Sequence, residues 1–228
     1  MTDKNLELVV KLLNNKDIFY WIGQGTLLGI TRDNKLIEWD HDIDICLWDH
    51  EYKKKYEFVK LLEKGGFKYR DDLGFGTKYD QMSFDKKGGR RVDLNFYQKN
   101  TSKDGEEIAF TRWGYPKNIF MSFLDAISNA KNYNSKYKFI INNLTIFEKF
   151  AKLIKKFLLK KKLFYREAGY KQPLNLLNEF KKIKFEDLEF NVPSKTTLYL
   201  EYIYGKNWKL PQKKFSWWKT KNLNFNYK

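Results

Sequence analysis

The sequence predicts an α+β protein in which a small mixed sheet is flanked by helices and followed by a basic, mainly helical C-terminal part. Three observations carry this expectation. Short β-rich or strictly alternating runs at 18–22, 42–47 and 90–97 are separated by segments of helical period. Glycines close these runs, as turns and helix ends require. From residue 146 the apolar spacing changes from two to 3.6, which divides the chain into a sheet-bearing core at 1–145 and a region at 146–228 packing on it.

Leu6, Val9, Val10 and Leu13 fall at i, i+3, i+4 and i+7, one apolar stripe of a first helix over 5–15. Ile18-Phe19-Tyr20-Trp21-Ile22 is apolar throughout and β-rich, as a buried strand demands. Gly23 and Gly25 end it, and Gly25-Thr26-Leu27-Leu28-Gly29-Ile30-Thr31-Arg32 reads as a tight turn into a short helix. Free N–H groups there could receive phosphate. From Asp42 to Leu47 the chain alternates, sending Asp42 and Asp44 to one face and Ile43, Ile45 and Leu47 to the core. Asp49 suits the N-cap of a helix carrying Tyr52, Tyr56 and Val59 inward and ended by Gly65-Gly66. Phe67 to Arg70 and Thr77 to Phe84 read as further strands. Arg90 to Tyr97 alternates again, with Val92, Leu94 and Phe96 on one face and Asp93 and Asn95 on the other.

Beyond 146, Phe147, Phe150, Ala151, Ile154, Phe157 and Leu158 follow the helical period, and Lys149 to Lys162 contains seven lysines and no acid. This is a basic amphipathic helix. Its cationic face reads either as ordinary solvated surface or as a membrane-facing one. A last short helix at Leu198 to Tyr204 stops at Gly205, and the segment 206–228 adds seven more lysines, with Trp217-Trp218 suited to capping the core.

Composition narrows the functional classes. In 228 residues, 44 Lys+Arg stand against 28 Asp+Glu, and aromatic residues make up 18%, so the chain folds rather than staying disordered. Residues 1–114 hold 20 basic and 20 acidic side chains, while 115–228 hold 24 and 8, so the whole excess of +16 lies in the second half. Such asymmetry favours a polyanionic partner: an anionic membrane, nucleic acid or a phosphorylated substrate. One cysteine, Cys46, excludes an internal disulfide, and two histidines leave little for a His-rich metal centre. Cys46 reads as a small buried hydrophobe, His41 as peripheral and His50 as a helix-start residue. No apolar run approaches the ~20 residues of a membrane span, and Met1 to Asn5 lack a signal-peptide core, which points to the cytoplasm.

Asp42 and Asp44 repel each other on one sheet face unless a cation compensates. Hard oxygen ligands suit Mg²⁺ or Mn²⁺, which take remaining ligands from substrate phosphates. With Asp93 on a neighbouring strand, three carboxylates could hold two ions about 3.5–4 Å apart, the spacing that stabilises both attacking and leaving oxygens. Arg32 could neutralise non-bridging oxygens in the transition state.

The order of these parts resembles a known family. Gly25 to Arg32, followed by Ile37-Glu38-Trp39-Asp40-His41-Asp42-Ile43-Asp44-Ile45, is similar to the LicD-type phosphocholine transferases and their relatives fukutin and fukutin-related protein, of the polymerase-β-like nucleotidyltransferase superfamily. Arg91-Val92-Asp93-Leu94 resembles the family's third-carboxylate strand. Phe185 to Pro193 with Tyr199, Tyr204-Gly205, Trp208 and Pro211 resembles its C-terminal signature. The resemblance implies a nucleotidyltransferase-like catalytic core at 1–145 and assigns Asp42, Asp44 and Asp93 to metal binding and catalysis. In it Asp93 accepts the acceptor's proton, Gly25, Thr26, Gly29 and Arg32 hold the donor's diphosphate, and Asp40 matches the motif without an assigned role.

The implied activity is an Mg²⁺- or Mn²⁺-dependent transfer of phosphocholine, ribitol phosphate or glycerol phosphate from a CDP-linked donor. The acceptor is a hydroxyl of a surface glycan, as in capsule or lipopolysaccharide modification, and CMP is released. That acceptor could be lipid-linked, with the protein peripheral to the inner face of the membrane. Two alternatives stand beside it. One is a nucleotidyltransferase attacking the α-phosphate of an NTP with RNA or a phosphate ester as acceptor, against which the absence of an RNA-binding signature counts. The other is a non-catalytic nucleotide- or glycan-binding protein.

Overall fold

The computed structural model describes residues 3–70, 80–131, 133 and 137–213. The expected strand residues 77–79, Lys78 among them, and the Trp217-Trp218 pair lie outside the described residues. Helix α1 (Lys4–Asn14) is capped by Asp3, whose carboxylate accepts from the N–H groups of Asn5 and Leu6, and it buries Leu6, Val9, Val10 and Leu13 as expected. Strand β1 (Trp21–Ile22) leads into α2 (Gln24–Asp33), then β2 (Asp42–Trp48). A short 3₁₀ turn, Asp49–Lys54, enters α3 (Lys55–Lys64). This helix turns Phe58 and Leu62 inward and packs Val59 against the core as expected, whereas Tyr56, also expected inward, is 60% exposed.

Strands β3 (Lys68–Arg70), β4 (Gln81–Asp85), β5 (Arg91–Thr101) and β6 (Glu107–Pro116) follow, then α4 (Ile119–Ser128), α5 (Lys138–Asn142) and α6 (Glu148–Lys160). The remainder is β7 (Tyr165–Pro173), β8 (Phe180–Phe185), β9 (Leu188–Pro193) and α7 (Thr196–Tyr204), which Gly205 terminates at φ +84°. The expectation of a mainly helical C-terminal part is thereby corrected. Between residues 146 and 213 three strands accompany two α-helices, because β7 lengthens the sheet beside β6 and β9 inserts beside β1.

The sheet is mixed and flanked by helices, in the order β3-β4-β5-β2-β1-β9-β8, with β6 and β7 continuing from the far half of β5. The pairs β2/β5 and β1/β9 are parallel and the rest antiparallel. Strands on both sides of residue 145 thus belong to one sheet. Both faces of β2 and β5 are covered, which explains why Ile43, Ile45, Leu47, Val92, Leu94 and Phe96 are all buried together with the polar residues between them.

The bend between α2 and β2 requires glycine. A Cβ at Gly29 would lie 2.6 Å from the Lys35 carbonyl oxygen and 2.9 Å from the Ile37 nitrogen, both backbone atoms with no freedom to retreat. This close return brings residues 37–42 across the start of α2 and so delivers Asp40 and Asp42 beside it.

Candidate active site

The register of the parallel β2/β5 pair sets the site. Asp44 lies opposite Asp93 and Asp42 opposite Arg91, on strands about 4.8 Å apart. Above them a cleft of about 510 Å³ is walled by Gln24, Gly25 and Arg32 of α2, by Asp40, and by Trp113 and Tyr115 of β6. Tyr170 of β7, Tyr204 of α7 and Trp208 close its far side. The two separated carboxylate segments therefore meet at one cleft.

Asp44 is fixed from three directions. Its Oδ2 accepts from the Gly25 N–H at 3.1 Å, its Oδ1 accepts from Asn95 Nδ2 at 3.3 Å, and its own N–H donates to Thr26 Oγ1 at 2.8 Å. A Cβ at 25 would run into the Asp40 carboxylate, so glycine there lets Asp40 sit against the start of α2. Gln24, which opens α2 against the cleft, holds φ at +49°, a conformation a non-glycine residue keeps only where surrounding contacts enforce it. Those contacts are the Tyr199 hydroxyl at 3.4 Å from its N–H and the Tyr97 hydroxyl at 3.4 Å from its amide.

Arg91 neutralises part of this charge. Its Nη2 donates to Asp42 Oδ2 at 2.9 Å, and its Nε lies 3.1 Å from Asp93 Oδ1, close but without the alignment of a hydrogen bond. Arg91 is a residue of the cleft that sequence reasoning missed. Its signal was present, since 91 and 93 share a strand face. Gln81 of β4 was missed too; its amide donates to Asn95 Oδ1 at 3.1 Å and approaches Asp93 Oδ2 at 3.4 Å.

Burial and mutual repulsion raise the pKa values of Asp40, Asp44 and Asp93. Burial, then the negative charge of Asp42, pushes Asp40 up to about 8. Burial and the charges of Asp42, Asp40 and Asp93 hold Asp44 well above the usual carboxylate range. Burial lifts Asp93 to about 6 even though Arg91 pulls the other way. Arg91 pairs directly with Asp42 and lies beside Asp93, while Arg70 also draws Asp93 down and Arg90 draws Asp40 down.

The donor set, hard carboxylate oxygens on adjacent strands with an excess of negative charge, fits a divalent cation in its chemistry. It is not gathered into a closed cage. Among the described residues no three His, Cys, Asp or Glu side chains converge on a single point, because the Arg91 guanidinium stands between Asp42 and Asp93 while Asp44 turns toward Gly25.

The residues expected to hold phosphate divide into two groups. Gly25 and Arg32 line the cleft. Arg32 pairs with Asp33 through Nε and Nη2 at 2.9 and 2.6 Å. Thr26 and Gly29 lie behind the wall, the first tied to the β2 backbone and the second packed on the returning chain. Cys46 is fully buried, as expected, with its thiol pushed up by burial, and His41 is exposed.

An acidic strand pair under a cleft, on a mixed sheet and beside a glycine-led helix, is the arrangement of a phosphoryl- or nucleotidyl-transfer domain. A family model described as LicD/FKTN/FKRP, nucleotidyltransferase domain, matches residues 17–124. Ribitol-5-phosphate transferase FKTN of Macaca fascicularis and that of Homo sapiens are each 23% identical over 212 residues, 93% of this chain and 34% of theirs. The chain thus spans about a third of the length of the curated relatives it matches. A solved structure of the lincosamide antibiotic adenylyltransferase LnuA, lincomycin-bound, aligns over 86% of this chain and 83% of that one, with 14% identity and a TM-score of 0.41. Residues 17–124 thus match the LicD/FKTN/FKRP nucleotidyltransferase-domain model, and the matched segment contains Asp40, Asp42, Asp44 and Asp93.

Proposed function

We propose that the protein is a LicD-type phosphotransferase that moves a phospho-alcohol group from a CDP-linked donor to a hydroxyl of a glycan and releases CMP. The observation that carries the proposal is the facing of Asp44 and Asp93 across β2 and β5 at the floor of the cleft. The relatives' name, ribitol-5-phosphate transferase, supports a polyol phosphate as the transferred group.

In this reading Asp42, Asp44 and Asp93 would hold Mg²⁺ or Mn²⁺, which would supply positive charge to the donor's diphosphate. The chain's own groups do the rest. Gly25 and Arg32 face the donor's phosphates from α2, with the helix start contributing its positive end. Trp113 and Tyr170, whose rings lie 5.2 Å apart on the opposite wall, offer flat apolar surface to a base or sugar. Asp93, ionised above about pH 6, takes the proton of the attacking hydroxyl. Arg91 holds Asp42 and Asp93 in place by charge.

The test is the identity of the released product. With CDP-ribitol, CDP-glycerol or CDP-choline, Mg²⁺ and a glycan acceptor, CMP should appear in step with acceptor loss. Release of diphosphate from an NTP instead would support the nucleotidyl-transfer alternative. Neither product, together with Mg²⁺-independent binding of CDP, would indicate a binding protein. The proposed setting is the cytoplasmic side of a membrane, with a lipid-linked glycan as acceptor; no helix among the described residues is long and apolar enough to cross one.

A further inference from the structure

Helix α6, whose cationic face reads from the sequence either as solvated or as membrane-facing, packs only half of its apolar surface inward. Lys155 is 3% exposed and sits inside, donating to Asp125 Oδ1 at 2.6 Å, while Phe150, Leu153 and Phe157 are each about two-thirds exposed. Those three lie at i, i+3 and i+7, one continuous ridge on the helix. It borders the row formed by Ala151, Ile154 and Leu158, which packs on Leu124 and Met121 of α4. The neighbouring elements behave alike. Ile119 and Phe120 open α4 at 87% and 63% exposure, and Phe139 of α5 is 83% exposed. A soluble surface rarely leaves so many large apolar side chains together without a partner.

Charge identifies that partner. Residues 117–162 contain eleven lysines and two acids. Both acids are consumed internally. Asp125 is held by Arg70, Lys155 and Tyr165, and Glu148 accepts from Lys152 Nζ at 2.8 Å and from the Lys131 N–H at 2.9 Å. Lys149, Lys156 and Lys160 continue around α6 from the exposed ridge, so the aromatic band is bordered by uncompensated positive charge. Two copies of such a face would repel each other, and an apolar protein groove would leave the lysines without counter-charge. An anionic lipid surface satisfies both halves at once, with aromatic side chains entering the acyl boundary and lysines meeting headgroups.

We infer that the exposed face built by α4, α5 and α6 docks the protein on an anionic bilayer, with Phe150, Leu153 and Phe157 inserted at the interface. This inference stands whether or not the transferred group is the one proposed above. It has a geometric link to the site, since Asp125, which lies between Lys155 of α6 and Arg70, also lines the cleft. The cleft is therefore about one helix diameter, roughly 10 Å, from the docked face.

Flotation of the full chain with vesicles tests it. Vesicles of phosphatidylcholine containing a third phosphatidylglycerol should carry the protein upward, pure phosphatidylcholine should carry at least tenfold less, and 0.5 M salt should weaken binding. Replacing Phe150 and Phe157 by serine should cut binding to anionic vesicles more than tenfold. Lys156→Gln with Lys160→Gln should cut it about 25-fold, at roughly fivefold per lysine. All four side chains project outward, so the melting temperature should stay within about 2 °C; a larger fall moves the test to Leu153→Ser, which should still lower binding severalfold. Equal binding to neutral and anionic vesicles, no binding to either, or lipid-free dimers that the serine substitutions dissociate would each overturn the inference.

Discussion

Asp44→Asn should lower turnover by about 10³-fold or more while the folded protein at pH 8 becomes no less stable. The loss follows from the place of Asp44, directly opposite Asp93 and against the Gly25 amide, where a carboxylate is needed to hold a cation beside the phosphates. Removing one preorganised electrostatic partner from a reacting centre typically costs 10²–10³-fold, and a metal ligand lies at the upper end. Stability moves the other way because Asp44 is buried and repelled by Asp40, Asp42 and Asp93. An amide of the same shape removes that repulsion and still accepts one of the two hydrogen bonds. Thermal unfolding and CMP release, measured on the same sample, separate the effects. A variant that melts earlier and loses activity in proportion would make Asp44 a structural residue.

A second large effect is a pH-dependent response to Mg²⁺. Asp93 moves from 3.8 to about 6 on folding, Asp40 rises to about 8, and Asp44 rises as well. Folded values above unfolded ones mean that the folded protein without metal retains protons the unfolded chain has released. That contribution is fully present below about pH 4 and is lost as the pH climbs through 6 and then 8. For Asp93 alone the loss is about 3 kcal/mol. A divalent cation compensates the same charges, so saturating Mg²⁺ should raise the melting temperature little at pH 5 and by roughly 6–12 °C at pH 8. Equal shifts at the two pH values would mean that Mg²⁺ binds elsewhere.

The sequence made the core of the site legible because strand alternation is a local property. The patterns around Asp42, Asp44 and Asp93 were enough to place three carboxylates on polar positions of two strands, and Gly25 with Arg32 on the turn beside them. Register was not legible. That Asp44 faces Asp93, and that Asp42 faces Arg91, depends on how far β5 slides along β2, which no single segment encodes. Arg91 and Gln81 were missed for the same reason.

The C-terminal half was misread through its lysines. Strands β7 and β8 carry Lys171, Lys181, Lys182 and Lys184 at positions that interrupt any clean alternation, yet they pair because β6 and β9 offer open edges. In α6 the 3.6 period was correct. Periodicity reveals an apolar stripe but not which surface covers it, and α4 covers only half, leaving Phe150, Leu153 and Phe157 outside. Tyr56, expected inward, is exposed, while Phe58 and Leu62 of the same helix meet the core.

Titration of Mn²⁺ in the presence of CDP, followed by loss of the free-ion electron paramagnetic signal, asks most directly whether the two strands act as one cation site. At pH 8 the wild-type chain should bind Mn²⁺ stoichiometrically at micromolar concentration, with Asp44→Asn and Asp93→Asn each weakening binding at least tenfold. Unchanged affinity in the Asp93→Asn protein would show that β2 and β5 do not share an ion, and the catalytic reading of their pairing would fall.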